Sequence, residues 1–167
     1  MKIFGRRSLG AVAVLSAGAV ALGGCSRGEG DETAKATDAS SEQRVASLGL
    51  GDADTLLALG ITPVAAAPWG AVDDRVAYGL RPWADRLLGD AKPEVIYNTA
   101  TGFTADTFEQ ITAADPTQII AVNQAVDAHT KESLEDIAPT TVKPDGYEDW
   151  QVPWEKQVET IADAVGK

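Results

Sequence analysis

TADTFEQITAADPTQIIAV, residues 104–122, changes its hydrophobic period halfway along. In its first half Phe108, Ile111 and Ala114 recur at helical spacing, which predicts an amphipathic helix over Asp106–Ala114 with Thr104 or Asp106 as its cap. Asp115-Pro116 ends it, and the apolar run Thr117–Val122 that follows reads as a buried strand. A helix feeding directly into an apolar strand is the unit of a parallel sheet, and the same alternation extends in both directions. Upstream, Val45–Leu50 reads as a strand and Thr55–Leu59 as a helix that Asp52 or Asp54 can cap and Gly60 stops. Ile61–Ala67 reads as a second strand, with Pro63 near its start, and Glu94–Tyr97 as a third. Between them, residues 68–90 are irregular apart from a short helix over Pro82–Leu88, and Asn98–Ala105 is a loop. Downstream come a helix over Lys131–Ile137, a strand over Thr140–Lys143 and a helix from Pro153, along which Trp154, Val158, Ile161 and Val165 keep helical spacing. The expected fold class is α/β, a mostly parallel sheet with helices on both faces.

The N-terminus has a different logic. Lys2, Arg6 and Arg7 form a positive head, Ala11–Leu22 a short apolar run, and Leu22-Gly-Gly-Cys25 a small-residue site before the single cysteine. That is the layout of a secretory signal, and the apolar run is shorter than the roughly 20 residues a bilayer span needs. LGGC resembles a bacterial lipobox, which implies a signal peptide over 1–24, lipidation of Cys25, and a chain held on the extracytoplasmic face of the cell membrane. Residues 25–43 lack large apolar side chains and form the tether; residues 44–167 form the folded unit.

The formal net charge is −11, and removal of 1–24 takes away three positive charges and no negative ones. Such a surface repels nucleic-acid phosphates and anionic headgroups, so no nucleic-acid partner is expected, and membrane contact falls to the lipid. With Cys25 acylated no thiol remains for a disulfide or a thiolate metal site, and one histidine, His129, cannot build a metal centre. His129 is placed in the loop before the Lys131 helix. Neither cofactor nor resident metal is expected.

Four stretches, RVASLGLGDADTLLALGITPVA from Arg44, APWG from Ala67, the 104–122 segment and APTTVKPDGYEDWQVPWEKQVETIADAVGK from Ala138, together resemble the N-terminal lobe of the iron-siderophore substrate-binding lipoproteins of ABC importers. This helical-backbone group also includes cobalamin and haem binders. The resemblance implies two lobes joined by a long helix, with a ferric siderophore (alternatively cobalamin or haem) captured in the cleft between them and delivered to an ABC permease. It also implies that the chain holds one lobe, its C-terminal lobe missing, ends in the interlobe helix region as a fragment would, works as a monomer and, alone, binds its ligand weakly. Glu109, in Thr107-Phe-Glu-Gln-Ile111, matches the glutamate with which relatives dock onto the permease.

Ligands of open α/β sheets sit beyond the carboxyl ends of the strands, here Gly49–Asp52, Ala67–Gly70, Asn98–Phe103 and Asn123–Val126. Nearby in sequence, Trp69, Tyr78 and Trp83 offer flat contact area, and Arg75 and Arg81 offer charge and forked hydrogen bonds, for a chelate whose metal is already saturated by its own donors. The competing reading packs Trp83 and Leu87 on a surface helix and pairs the arginines with Asp73, Asp74 and Asp85. An enzyme is not expected. Gly49-Leu-Gly51 begins like a dinucleotide fingerprint, but Asp54 stands where its third glycine belongs, and the chain has no GxSxG, HExxH or P-loop.

Overall fold

The computed structural model describes residues 43–67, 82–97 and 99–167. Cys25, and Trp69, Arg75, Tyr78 and Arg81 of the segment 68–81, lie outside the described residues. Among the described residues five strands, β1 (Val45–Ser47), β2 (Ala65–Ala66), β3 (Glu94–Val95), β4 (Gln118–Ala121) and β5 (Thr140–Val142), form one sheet in the order β3-β2-β1-β4-β5. Every pairing is parallel. Among the described residues five α-helices alternate with them: α1 (Asp52–Ala58), α2 (Asp85–Leu88, after a 3-10 turn Pro82–Ala84), α3 (Ala105–Ala113), α4 (Ala128–Glu135) and α5 (Trp154–Val165).

Period-two alternation divides the core into two layers. Ala46, Ile119 and Ala121 join Ile111 of α3 and Leu134 of α4, whereas Val45, Ile120 and Val122 join Leu56 of α1 with Ile161 and Val165 of α5. Ala84 and Leu88 extend the second layer over Ala53, Leu57 and Ala66. Helices therefore cover both faces, which is why the central strands are apolar at consecutive positions.

The 104–122 segment forms as its pattern predicts. Thr104 caps α3, its Oγ1 accepting from the Thr107 N–H at 3.4 Å while the Thr107 hydroxyl accepts from the Thr104 N–H at 3.4 Å. Elsewhere local chemistry moves the boundaries. The second strand is shorter than Ile61–Ala67 because the Ile61 N–H closes the end of α1 on Leu56 O at 2.9 Å, with Gly60 turned to φ 79° between them, and Pro63 has no N–H to give. Ladder bonds to β1 begin only at Val64 and end at Ala67. Asp127, whose Oδ1 accepts from Thr130 N–H at 2.7 Å, starts α4 one turn earlier than expected. His129 thus lies exposed in that helix's first turn, not in a preceding loop. On α5 the buried face is Gln157, Ile161 and Val165; Trp154 is 70% exposed, and its spacing alone gave it a core position it does not hold. No helix among the described residues is long and apolar enough to cross a membrane.

Candidate functional site

The chain runs outward from β1 to β3, then returns past β1 to lay down β4 and β5. The loops after β1 and β4 therefore leave the sheet toward opposite faces, and a doubly wound sheet presents its ligand crevice at such a switch point. Here that point is filled from within. Leu50 N–H donates to Asn123 O at 2.9 Å, and Gln124 Nε2 to Leu48 O at 2.9 Å. Asp52, fully buried, accepts the Val122 N–H on Oδ2 at 2.9 Å and Gln157 Nε2 of α5 on Oδ1 at 2.6 Å. The same Gln157 nitrogen donates to Leu50 O at 2.8 Å.

Asp52 is thus the knot that ties the β1 loop, the β4 loop and α5 together. It is not the helix cap expected of it: Gly51, at φ 76°, is the N-cap of α1 and has no side chain for the purpose. Burial pushes the Asp52 carboxyl up from 3.8 to about 6, against the opposing pull of its hydrogen bonds from Gln157, Val122, Asn123 and Gly49.

With the switch point closed, open space among the described residues of this rim lies beside it, on the side of α3 and α4. A hollow of about 560 Å³ is bounded by Gly102-Phe103 before α3, Ala125–Asp127 before α4, Thr130, and Lys143 and Asp149 beyond β5. The volume falls within the range of small-molecule sites. Phe103 stacks obliquely on Phe108, ring centroids 5.8 Å apart, giving the hollow an aromatic wall. Lys143 donates to Asp149. Hydrogen bonding by the Thr130 backbone and then its hydroxyl holds the Asp127 carboxyl below its ordinary value, so it is ionised at neutral pH. Hollows of about 400 and 270 Å³ lie at the opposite edge, near Arg44 and Lys92 and near Gly60 and Lys167; parallel α/β sheets do not bind at that edge. Among the described residues no group of three or more His, Cys, Asp or Glu is arranged to hold a metal ion.

Of the ligand contacts expected from sequence, Trp83 is described. Its ring is 64% exposed while its indole N–H donates to Asp54 Oδ1 at 3.2 Å, in the first turn of α1. That places it at the same rim, toward the α1 side. Trp83 and Leu87 are both open, and Ala84 and Leu88 supply the packing of this short helix instead. Glu109 is exposed on α3. Lys143, Asp149, Asp127 and Gln157 escaped sequence reading because they converge only through strand order. An acid directly after Gly49-Leu-Gly51 at a strand end was the one visible sign of Asp52.

No family model matches the chain, and no curated protein matches it. Solved structures do. A periplasmic solute-binding protein from Mycobacterium smegmatis is 39% identical, with a TM-score of 0.66, over 75% of this chain and 41% of its own. The substrate-binding protein PiaA of an iron-uptake ABC transporter from Streptococcus pneumoniae is 26% identical with a TM-score of 0.60, over 74% of this chain and 38% of its own. Its complex with ferrichrome matches at 26% identity and a TM-score of 0.62. The chain spans about two fifths of the length of these structures. In fold and sequence the chain is similar to one lobe of these solute-binding and iron-uptake substrate-binding proteins.

Proposed function

We propose that this lobe serves as the extracytoplasmic substrate-binding component of an ABC importer for ferric siderophores, its C-terminal rim forming one wall of the capture cleft. One observation carries the reading: the hollow at the carboxyl ends of the strands stands in a lobe 39% identical to a periplasmic solute-binding protein. The ferrichrome complex of the pneumococcal iron-uptake protein supports a ferric chelate as cargo. In this reading Trp69, Arg75, Tyr78, Arg81 and Trp83 contact the chelate alongside the aromatic wall of Phe103. The signal over 1–24 directs export, lipidation at Cys25 and the tether over 25–43 keep the lobe on the extracytoplasmic face of the cell membrane, and Glu109 meets basic residues of the permease. The role is capture and delivery, not catalysis.

Cells lacking the gene should lose uptake of siderophore-bound iron and regain it on complementation; unchanged uptake would refute the assignment. Glu109→Lys should slow uptake about tenfold, because a reversed charge repels the docking surface during encounter, while chelate binding to the purified chain stays intact. Normal import by that variant would remove Glu109 from the docking role.

A further inference from the structure

We propose that Gln157 is an acid-sensitive latch between α5 and the rim: while Asp52 is ionised the Gln157 amide holds both Asp52 and Leu50, and a proton on Asp52 turns the amide over and frees Leu50. The inference goes beyond the transport reading and does not depend on what the rim binds. Geometry carries it. Gln157 is buried, and both hydrogens of its amide are committed, one to Asp52 Oδ1 at 2.6 Å and one to Leu50 O at 2.8 Å. Asp52 Oδ2 meets the Val122 N–H at 2.9 Å, and the Gly49 and Asn123 N–H groups also donate to this carboxyl. Each of these contacts is a donor, which suits a carboxylate and gives a carboxylic acid no place to put its proton. The backbone donors cannot turn. The Gln157 amide can, and its oxygen then accepts the Asp52 proton.

In that orientation the Gln157 oxygen would stand against Leu50 O, so the side chain has to leave it. Leu50 O is not orphaned, because Asn123 Nδ2 donates to it at 3.2 Å. Gln157 then holds α5 to the rim by one bond in place of two. The groups that face Asp52 are Gly49 of the β1 loop, Val122 and Asn123 of the β4 loop and Gln157 of α5, and none of them titrates. On the packed helices, Asp54 accepts the Trp83 indole N–H, Lys156 pairs with Glu159, and Arg86, Glu155 and Asp163 are exposed. Burial, which raises the Asp52 carboxyl to about 6, puts the change just below neutral pH. The strand end that Asp52 holds runs on through Gln124 into Ala125–Asp127 of the hollow, so the latch adjoins that lining.

The test is an NMR titration of the isotope-labelled full chain from about pH 7.5 to about pH 4.5. The Asp52 carboxyl carbon and the Gln157 side-chain amide should follow one curve with its midpoint near 6. Hydrogen exchange at the Gln157 and Val158 backbone amides, corrected for the intrinsic rate, should become about fivefold faster across that curve while Ile119 and Ile120 of β4 keep their protection. Asp52→Asn presents an amide donor where the acid presents its proton, so it should show the acid position of the Gln157 amide at every pH. A Gln157 amide that stays fixed while Asp52 titrates overturns the latch and sends the proton to Asn123 Oδ1, a buried oxygen without a hydrogen-bond partner among the described residues. An Asp52 carboxyl that does not titrate in this range overturns it too, as do Asp52→Asn signals that match the wild type at neutral pH. The wild-type titration needs no substitution and decides the matter even if the variant fails to fold.

Discussion

Gly49→Ala should destabilise the lobe by about 3 kcal/mol or more, in the range of a disrupted buried network. A Cβ at this position would stand 2.1 Å from Asp52 Oδ2, 2.7 Å from Asp52 Cγ and 2.8 Å from the Asn123 backbone nitrogen. Real Cβ contacts do not come that close, so something must move. The Asp52 carboxylate cannot swing aside without giving up the Val122 N–H and the Gln157 amide, and a hydrogen bond to a buried charge is worth about 1.5–3 kcal/mol. Asn123 N belongs to the loop that completes the switch point, so its retreat would strain the Leu50–Asn123 bond as well. Chemical denaturation followed by circular dichroism reads the loss. A variant within 1 kcal/mol of the parent would mean that the β1 loop has slack that this packing denies.

The second large effect is a dependence of stability on pH that runs opposite to ordinary acid denaturation. Asp52 titrates near 6 in the folded lobe and near 3.8 when unfolded. Between those values the folded state holds a proton that the unfolded state has released, so unfolding free energy falls as pH rises through this window. The penalty of the buried carboxylate is fully present above about 6, is relieved progressively below that, and is gone near the unfolded value. The gap of about two pH units corresponds to about 3 kcal/mol. Asp127 does not mask it, because a carboxyl held below its ordinary value loses its contribution only under that value, outside the window. Stability should therefore increase from pH 7 to pH 4.5. Asp52→Asn should flatten the profile, since an amide oxygen still accepts the Val122 N–H, and Gln157 can turn its amide while Leu50 O keeps Asn123 Nδ2 at 3.2 Å. A wild-type profile that is flat or falls toward acid in this range would show that Asp52 is neutral or hydrated throughout.

Both effects originate in a cluster whose members sit far apart in sequence, and this marks where sequence reading ends. Local patterns were sufficient for the helix and strand of residues 104–122, for the Thr104 cap, and for a parallel sheet covered on both faces. Of the strand-end loops they singled out, Gly102-Phe103 and Ala125-Val126 border the hollow. Spacing could not show that Asp52 reaches Gln157 across 105 positions, or that the Lys143–Asp149 pair just beyond the last strand shares a hollow with the start of α4. Those meetings depend on β4 returning to the far side of β1, which no local period encodes. Trp154 shows the converse failure: helical spacing marked it as core, yet the first turn of α5 leaves it in solvent.

The central claim is that a ferric chelate rests on the carboxyl-end rim of this sheet, and amide shift mapping tests it most directly. On addition of an uncharged gallium(III) tris-hydroxamate, the amides of Phe103, Val126, Asp127, Thr130, Lys143 and Asp149 should move together while those of Arg44, Thr62 and Lys92 stay fixed. Movement confined to the Arg44–Lys92 edge, or no movement at saturating chelate, would contradict it.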